Sequence, residues 1–266
     1  MRITAMWRYP VKSMLGEPLD EAFLDPAGLA MDRGLAVLEV ASGFVGSAKQ
    51  PRLWRDLLKH SAAVEAGRVV ITSPAGWRRE VPDPDVDRLL SESLAREVRV
   101  SSRRPAAAAV ERPDPLDVLD HGVVAVVEAP TLQIGQGTPG ENFVDYAPVH
   151  LITSATLAAI GAEQIRYRPN LVVETPPGTP AFVENSWVGR ELHIGDVVLR
   201  VSIPTPRCAI PTLEHGDLPR APHAVRTLMT ANRVEVEGFG VLPCAGGYAD
   251  VVHGGTIHVG DELTVH

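Results

Sequence analysis

The sequence contains very little cysteine and no long apolar segment. Cys208 and Cys244 are the only two cysteines among 266 residues, which excludes a scaffold of several disulfides and any four-cysteine zinc or iron–sulfur site. A single disulfide stays possible on this count. The longest strongly apolar run, residues 123–127, is far too short to cross a bilayer, and residues 1–10 lack the apolar stretch of a signal peptide. We therefore expect a cytoplasmic protein without a membrane segment.

Lysine is also scarce, and most of the positive charge is carried by arginine. Lys12, Lys49 and Lys59 are the only lysines, so 22 of the 25 basic residues are arginines. With 33 acidic residues the formal net charge is −8. This balance argues against a nucleic acid or a membrane surface as the general partner of the protein.

Glycine and proline, by contrast, are abundant, with 23 of each. They predict many turns and short strands instead of long helices, and therefore an α+β fold that is mostly β with a few short helices. Strands are predicted at residues 3–9, 22–24, 35–40, 69–73, 123–128, 149–153, 171–174, 191–194 and 197–203, and again within 248–265. Helices are predicted at residues 85–96, 154–160 and 222–230, whereas residues 53–64 fit either structure.

Residues 101–120 are the best candidate for a domain boundary. They contain three arginines, four successive alanines and three prolines, a composition typical of an exposed connection. We therefore predict an N-terminal domain over residues 1–110 and a C-terminal domain over residues 111–266.

Residues 135–140 match the G-x-G-x-x-G pattern of dinucleotide-binding loops. That function requires a helix to begin at the motif, and Pro139 within it disfavours such a helix. We predict a flexible loop instead. The sequence has no H-E-x-x-H and no G-x-S-x-G motif, so zinc-protease and serine-hydrolase chemistry have no support.

Cys208 lies in a proline-rich segment directly after Arg207. An adjacent guanidinium favours the thiolate, which is the form that binds soft metals or attacks electrophiles. A buried packing cysteine is an equally good interpretation of these residues alone. Cys244 has no charged neighbour in sequence, so we predict that it packs in the core.

Two short polar segments could bind a phosphorylated ligand. Lys12 and Ser13 follow the first predicted strand, and Arg166, Arg168 and Asn170 precede another. Lysine and arginine donate to phosphate, and an amide offers both a donor and an acceptor. Solvated polar residues at strand ends are the alternative interpretation.

Taken in order, several short motifs resemble the MOSC family, which is named for the C-terminal domain of molybdenum-cofactor sulfurase. The resemblance extends over nearly the whole chain and implies a MOSC-type β-barrel preceded by a β-rich N-terminal module. The amidoxime-reducing components are similar in architecture. The motifs are Tyr-Pro-Val-Lys-Ser at 9–13, Asp-Arg at 32–33, Gln-Pro-Arg-Leu at 50–53, Ala-Pro-Val-His-Leu-Ile-Thr-Ser at 147–154, Arg-x-Arg-Pro-Asn at 166–170, Glu-x-x-Trp at 184–187, Pro-Arg-Cys at 206–208 and the closing Gly-Thr-Ile-x-Val-Gly-Asp at 255–261.

The resemblance implies a molybdenum cofactor, that is, a molybdopterin that carries the metal. Cys208 matches the cysteine that gives its thiolate to molybdenum in the amidoxime reducers, and Arg207 would lie beside the metal. Thr153 and Ser154, at a predicted helix start, would contribute hydroxyl and backbone N–H groups to the phosphate. The positions that match residues holding the pterin and its phosphate are Lys12, Ser13, Arg33, Arg168 and Asn170.

The resemblance also implies an activity, namely reduction of N-hydroxylated or N-oxide groups on a small-molecule substrate. The chain lacks the cysteine cluster of relatives that carry a fused ferredoxin. Electrons would therefore come from a separate protein, such as a ferredoxin, a cytochrome b5-like protein or a flavin reductase. Two alternatives stay open: a sulfur-transfer protein that carries a persulfide on Cys208, and a cofactor carrier without chemistry of its own.

Overall fold

The computed structural model describes residues 1–266 and consists mainly of short strands. The helices are α1 (Pro51–Trp54), α2 (Val86–Leu94), α3 (Pro115–His121), α4 (Ser154–Ile160) and α5 (His223–Ala231). The strands are β1 (Arg2–Arg8), β2 (Glu17–Leu19), β3 (Glu21–Asp25), β4 (Gly28–Leu29), β5 (Ala36–Glu39), β6 (Ser61–Glu65), β7 (Arg68–Thr72), β8 (Arg78–Val81), β9 (Val98–Ser101), β10 (Ala109–Glu111), β11 (Thr131–Gln133), β12 (Val149–Thr153), β13 (Leu171–Glu174), β14 (Glu191–Ile194), β15 (Val197–Pro206), β16 (Arg233–Val236), β17 (Gly240–His253), β18 (Gly255–His258) and β19 (Thr264–Val265). The mostly-β α+β expectation is confirmed.

The largest sheet has nine strands. Its order is β19-β14-β15-β17-β12-β13-β1-β2, with β16 attached to β17. The path has two free ends, and the strands form several separate sheets, so the expected barrel is not closed. Both end strands are very short, with two residues in β19 and three in β2. They therefore offer few free backbone groups for the pairing that would close the sheet.

The main core lies on one face of this sheet, and the alternation of apolar residues explains its position. In β15 the side chains of Val197, Leu199 and Val201 are buried while Arg200 between them is exposed, as expected for a strand with one face in the core. Strand β12 is buried along its whole length. It pairs in parallel with β13 and antiparallel with β17, and α4 makes the crossover between β12 and β13.

A second core lies in the N-terminal half, where α2 packs against the small sheets. It contains Val37, Trp54, Leu57, Ile71 and Leu90, all buried. The first strands belong elsewhere, since β1 pairs with β13 and β3 pairs with β18. The two halves therefore share sheets, and the proposed boundary at residue 110 stays a prediction.

Two local predictions were wrong. Residues 123–128 are not a strand, and Val124 and Val126 are exposed, because no strand edge lies beside them and β propensity acts largely through packing. Residues 101–120 are not a simple exposed connection either. They contain β10 and α3, and Val110 is fully buried. Residues 135–140 form a loop without a helix, as predicted.

Helix α4 begins beside a buried carboxyl group. Glu184 is fully buried, and its two oxygens accept hydrogen bonds from the Thr153 N–H and the Thr156 hydroxyl, both at 2.7 Å. Thr153 in turn caps the helix by accepting from the Thr156 N–H at 3.2 Å. The carboxyl group therefore connects the end of β12 to the first turn of α4.

We expect Glu184→Ala to lower the free energy of unfolding by about 3 kcal/mol, because it leaves the Thr153 N–H buried without an acceptor. Urea denaturation would measure the loss. Glu174→Ala is the control, since Glu174 is 54% exposed and pairs with Arg2 at 3.9 Å; its effect should stay below about 1 kcal/mol. Equal losses in the two variants would contradict this role for Glu184.

Candidate functional site

One cavity brings together most of the predicted site residues. It encloses about 1020 Å³ of empty space, part of which is open to solvent. The predicted site residues that line it are Lys12, Ser13, Arg33, Arg168, Asn170, Arg207 and Cys208.

The structure does not bring Thr153 and Ser154 to this cavity. The Thr153 N–H and hydroxyl are used by Glu184 and Thr156, as described above. The Ser154 hydroxyl lies 3.2 Å from that of Thr175. The helix start was correctly predicted at this point, but its polar groups stabilise the fold.

Lys12 belongs to a buried cluster of two lysines and one carboxylate. Its Nζ donates to Asp145 Oδ1 at 2.5 Å and to the Phe143 carbonyl at 2.8 Å, and Lys49 Nζ lies 2.9 Å from the same Oδ1. The two lysines hold the pKa of Asp145 well below its usual range against the effect of burial. The cluster keeps a surplus positive charge facing the cavity, which favours an anionic ligand.

Burial lowers the pKa of Lys12 from 10.5 to about 8. Between these pH values the unfolded chain binds more protons than the folded one, so the stability contributed by this group rises with pH. Below about pH 8 the cost of burying the charge is present in full. From full protonation to full deprotonation of Lys12, its contribution to the free energy of unfolding changes by about 3 kcal/mol.

We therefore compare the free energy of unfolding of Lys12→Met with that of wild type at two pH values. We expect the variant minus wild-type difference to be about 3 kcal/mol more favourable to the variant at pH 7 than at pH 10.5. Urea denaturation of the ligand-free proteins at the two pH values measures it. Lys59→Met, at an exposed lysine, should show no such change. A difference between Lys12→Met and wild type that is constant with pH would contradict the prediction.

Tyr9 lies between two guanidinium groups. Arg33 and Arg168 sit over its ring, 4.6 and 4.3 Å from the centroid, which are favourable cation–π distances. Arg33 is neutralised by the Asp32 carboxylate and donates to the Arg168 carbonyl at 3.0 Å. Arg168 donates through Nη1 to the Met14 carbonyl at 2.6 Å, but its buried Nη2 has no partner.

Three of the cavity residues have left-handed backbone conformations. The φ angles are 65° at Ser13, 46° at Arg33 and 54° at Arg168. Such angles are uncommon outside glycine, and they concentrate at functional sites. The Ser13 hydroxyl accepts from the Ala48 N–H at 3.1 Å, which fixes the turn that carries Lys12 into the cavity.

Arg207 is buried without a carboxylate partner. It donates to the Ala245 carbonyl at 3.0 Å and to the Tyr167 carbonyl at 3.1 Å, and a further N–H donates to His150 Nε2. Burial, and next the Arg207 charge, hold the pKa of His150 well below its usual range, so the imidazole is neutral and can accept. The arrangement leaves the positive charge of Arg207 uncompensated beside Cys208.

Cys208 is 8% exposed and lines the cavity just after β15. It packs on Ala48, Leu58 and Ile210, and its thiol is free. The other thiol lies outside the cavity. Cys244 is fully buried with Ile203 and Val236, where burial raises its pKa to about 12, so it is a packing residue.

The side-chain amide of Asn170 is already hydrogen-bonded to other parts of the protein. Asn170 Oδ1 accepts from the His150 N–H at 3.0 Å, and its Nδ2 donates to the Trp7 carbonyl at 3.3 Å. Asn170 thus connects β12 to β1 beside the cavity that it lines. Arg166 also lines the cavity but is engaged by Glu163 and by two carbonyl groups.

Sequence reasoning missed Lys49, Asp145 and His150 as site residues. Lys49 could have been noticed as one of only three lysines. Asp145 and His150 lie just before and within the motif at residues 147–154, but nothing local shows that they face the same cavity as Lys12. Asp145 contacts Lys12 across 133 positions of sequence, and His150 contacts Arg207 across 57.

The family assignment comes from comparison with known proteins. Residues 140–264 match the MOSC domain, and residues 1–109 match the MOSC N-terminal beta barrel domain. The chain belongs to the MOSC family. These two matches confirm the family expectation drawn from the motifs. MOSC domains are associated with binding of the molybdenum cofactor.

Curated relatives of this MOSC protein span almost its whole length at low identity. It is 24% identical to human mitochondrial amidoxime reducing component 2, over 98% of this chain and 82% of the relative. It is 25% identical to human mitochondrial amidoxime-reducing component 1, with the same coverage of 98% and 82%.

Two solved structures are similar to the MOSC protein. The YuaD protein from Bacillus subtilis has a TM-score of 0.45 at 10% identity and covers 100% of this chain and 94% of its own. YiiM from Geobacillus stearothermophilus has a TM-score of 0.33 at 15% identity, over 61% of this chain and 74% of its own. None of the helices of the MOSC protein is both long and apolar enough to span a membrane.

Proposed function

We propose that this MOSC protein binds the molybdenum cofactor in the cavity and reduces N-hydroxylated or N-oxide compounds with electrons from a separate protein. The observation that carries the proposal is the position of Cys208, a free thiol on the wall of a strongly cationic cavity. A thiolate is a soft ligand that suits a metal already held by the sulfur atoms of a pterin. The names of the relatives support the reaction class.

The residues present fit such a cofactor. The buried Nη2 of Arg168 has no partner, and a phosphate or a pterin oxygen would supply the acceptor that it lacks. Lys12 and Lys49 carry more positive charge than their shared Asp145 neutralises. Arg33 and Arg168, together with Lys12, would hold the anionic end of the cofactor. Ser13 and Asn170 line the cavity beside them, and Cys208 would hold the metal.

When bound, the cofactor supplies the two-electron oxygen-atom chemistry, while the protein supplies orientation and electrostatics. For an amidoxime the net reaction breaks the N–O bond, consumes two electrons and two protons, and releases an amidine and one water. Arg207, held by His150 and by carbonyl groups, would keep a positive charge beside the reacting centre. Such preorganised charge stabilises negative charge that develops there.

The electron donor would be a separate redox protein, such as a ferredoxin, a cytochrome b5-like protein or a flavin reductase. The chain contributes one thiol to the cavity and buries the other in the core, so neither forms part of a cluster that could store electrons. We place the reaction in the cytoplasm, where both free thiols would stay reduced.

The proposal is tested by purifying the protein from a host that makes the molybdenum cofactor. We expect molybdenum and pterin in about equal amounts with the protein, and reduction of benzamidoxime to benzamidine by reduced methyl viologen. Absence of both metal and pterin would overturn the proposal. Bound cofactor without turnover of any N-oxygenated compound would support the carrier alternative instead.

A further inference from the structure

The outer part of the cavity contains a cation that the proposed cofactor site does not use. Arg112 lines the cavity and is half-buried, yet its side chain forms no ion pair and no hydrogen bond in the structure. Only its backbone N–H is engaged, with the Pro130 carbonyl at 2.9 Å. The other cations lining the cavity have partners, as described above: Lys12, Arg33, Lys49, Arg166, Arg168 and Arg207.

Pairing of β10 with β11 positions Arg112. Val110 pairs with Leu132, and Arg112 leaves the strand two residues after Val110, on the same face. Leu132 and Gln133 also line the cavity, as does Gln136 in the loop that follows. Gln133 and Gln136 are exposed, so this wall lies toward the opening, whereas Cys208 lies at the buried end.

Aromatic side chains form another wall of the same cavity. The rings of Phe239 and Tyr146 are 5.8 Å apart and nearly perpendicular, and the ring of Tyr146 is 5.9 Å from that of Tyr248. Tyr248 in turn lies 5.7 Å from His150, which contacts Arg207. This row of side chains therefore extends from Phe239, which is half-buried in the turn between β16 and β17, through His150 to Arg207. Arg207 directly precedes Cys208.

We propose that this outer region selects planar aromatic substrates that carry a carboxylate, with Arg112 as the residue that determines specificity. The inference rests on the proposed function for the reaction itself. A guanidinium binds a carboxylate through two parallel hydrogen bonds, and a flat ring fits against Tyr146 and Phe239. Nothing on the walls opposes the anion, because the only acid that lines the cavity, Asp145, is already shared by two lysines.

Two probes with the same ring and the same reacting group, which differ in one carboxylate, test the proposal: benzamidoxime and 4-carboxybenzamidoxime, with reduced methyl viologen as the electron source. We expect the cofactor-loaded protein to have a kcat/KM at least about tenfold higher for the carboxylated probe, since one charge-assisted hydrogen bond accounts for that factor. Arg112→Gln should lower kcat/KM for the carboxylated probe to about the value for benzamidoxime, and Arg112→Lys should restore part of the preference. Arg103→Gln, at an exposed arginine outside the cavity, is the matched control.

Binding of the corresponding products provides a readout that does not depend on turnover. In calorimetric titrations of the loaded protein, 4-carboxybenzamidine should bind about tenfold tighter than benzamidine, and only in proteins that keep a cation at position 112. Phe239→Ala should weaken both products by a similar factor of about 2 to 10, as expected for lost aromatic contact.

The outcomes separate the two proposals. If carboxylated and neutral compounds bind and react equally well, or if Arg112→Gln keeps the preference, the assignment of Arg112 is wrong. If the carboxylated product binds through Arg112 but neither probe is reduced, the specificity assignment holds and the proposed reaction fails.

Discussion

Cys208→Ser is expected to abolish reduction of N-hydroxylated compounds while the protein keeps its pterin. Serine preserves the size of the side chain, but its oxygen is a much poorer ligand for a soft metal than a thiolate. Loss of even an outer-shell partner of a metal ligand costs up to about a hundredfold in activity, and we expect at least that loss here. Turnover of benzamidoxime, molybdenum content and pterin fluorescence are measured on the same preparation.

Cys244→Ala is the matched control. Cys244 is fully buried away from the cavity, and its Sγ donates only to the Leu242 carbonyl at 3.4 Å. This variant should keep turnover close to wild type. If Cys208→Ser retained more than about a tenth of wild-type turnover, a loss well short of that expected for a metal ligand, the ligand role would be refuted. Loss of sulfur transfer in Cys208→Ala, with cofactor content unchanged, would favour the persulfide alternative.

Arg168→Met is expected to lose the cofactor without unfolding the protein. The unpartnered Nη2 is the strongest single sign of an anionic ligand in the structure. A hydrogen bond to a charged group contributes about 1.5–3 kcal/mol, so pterin content after purification should fall at least about tenfold. Burial lowers the pKa of Arg168 to about 10, which shows that the ligand-free fold does not favour this charge.

Stability of the cofactor-free protein distinguishes a binding role from a structural one. For Arg168→Met we expect the free energy of unfolding to fall by no more than about 1.5 kcal/mol. The substitution removes the bond to the Met14 carbonyl and the contact with the Tyr9 ring, but it also removes a buried charge. Arg33→Met should lose about 3–5 kcal/mol, because the buried carboxylate of Asp32 loses its only cationic partner and keeps only the bond from the Tyr9 N–H. Equal destabilisation in the two variants, or unchanged pterin in Arg168→Met, would contradict the assignment.

Much of the local structure could be predicted because it depends on neighbours in sequence. The strands predicted at residues 149–153, 171–174 and 191–194 have the same bounds in the structure as β12, β13 and β14. Helix α4 starts within one residue of the predicted position, and a threonine caps it. The run at residues 123–128 failed for the opposite reason: a strand needs a partner edge, and no sequence window reports one.

The site residues show the same difference between features that depend on sequence neighbours and features that depend on distant contacts. Cys208 and Arg207 could be proposed from a rigid proline-rich segment and from their adjacency, and the cavity contains both. Thr153 had the right residue type at a helix start, but Glu184, 31 positions away, takes its N–H. The sequence indicates where a helix begins, but it does not show which group accepts hydrogen bonds from the N–H groups there.

What the sequence by itself determined is the inventory: short strands separated by glycine and proline, two thiols, three lysines and the motifs of the MOSC family. Only the tertiary structure decided which of these meet. Asp145 joins Lys12 across 133 positions, and Arg112 reaches the cavity because β10 pairs with β11. The physical reason is that periodicity and capping act within a few residues, whereas an ionic cluster or a cavity wall is fixed by which strand edges pair and which apolar faces are buried together.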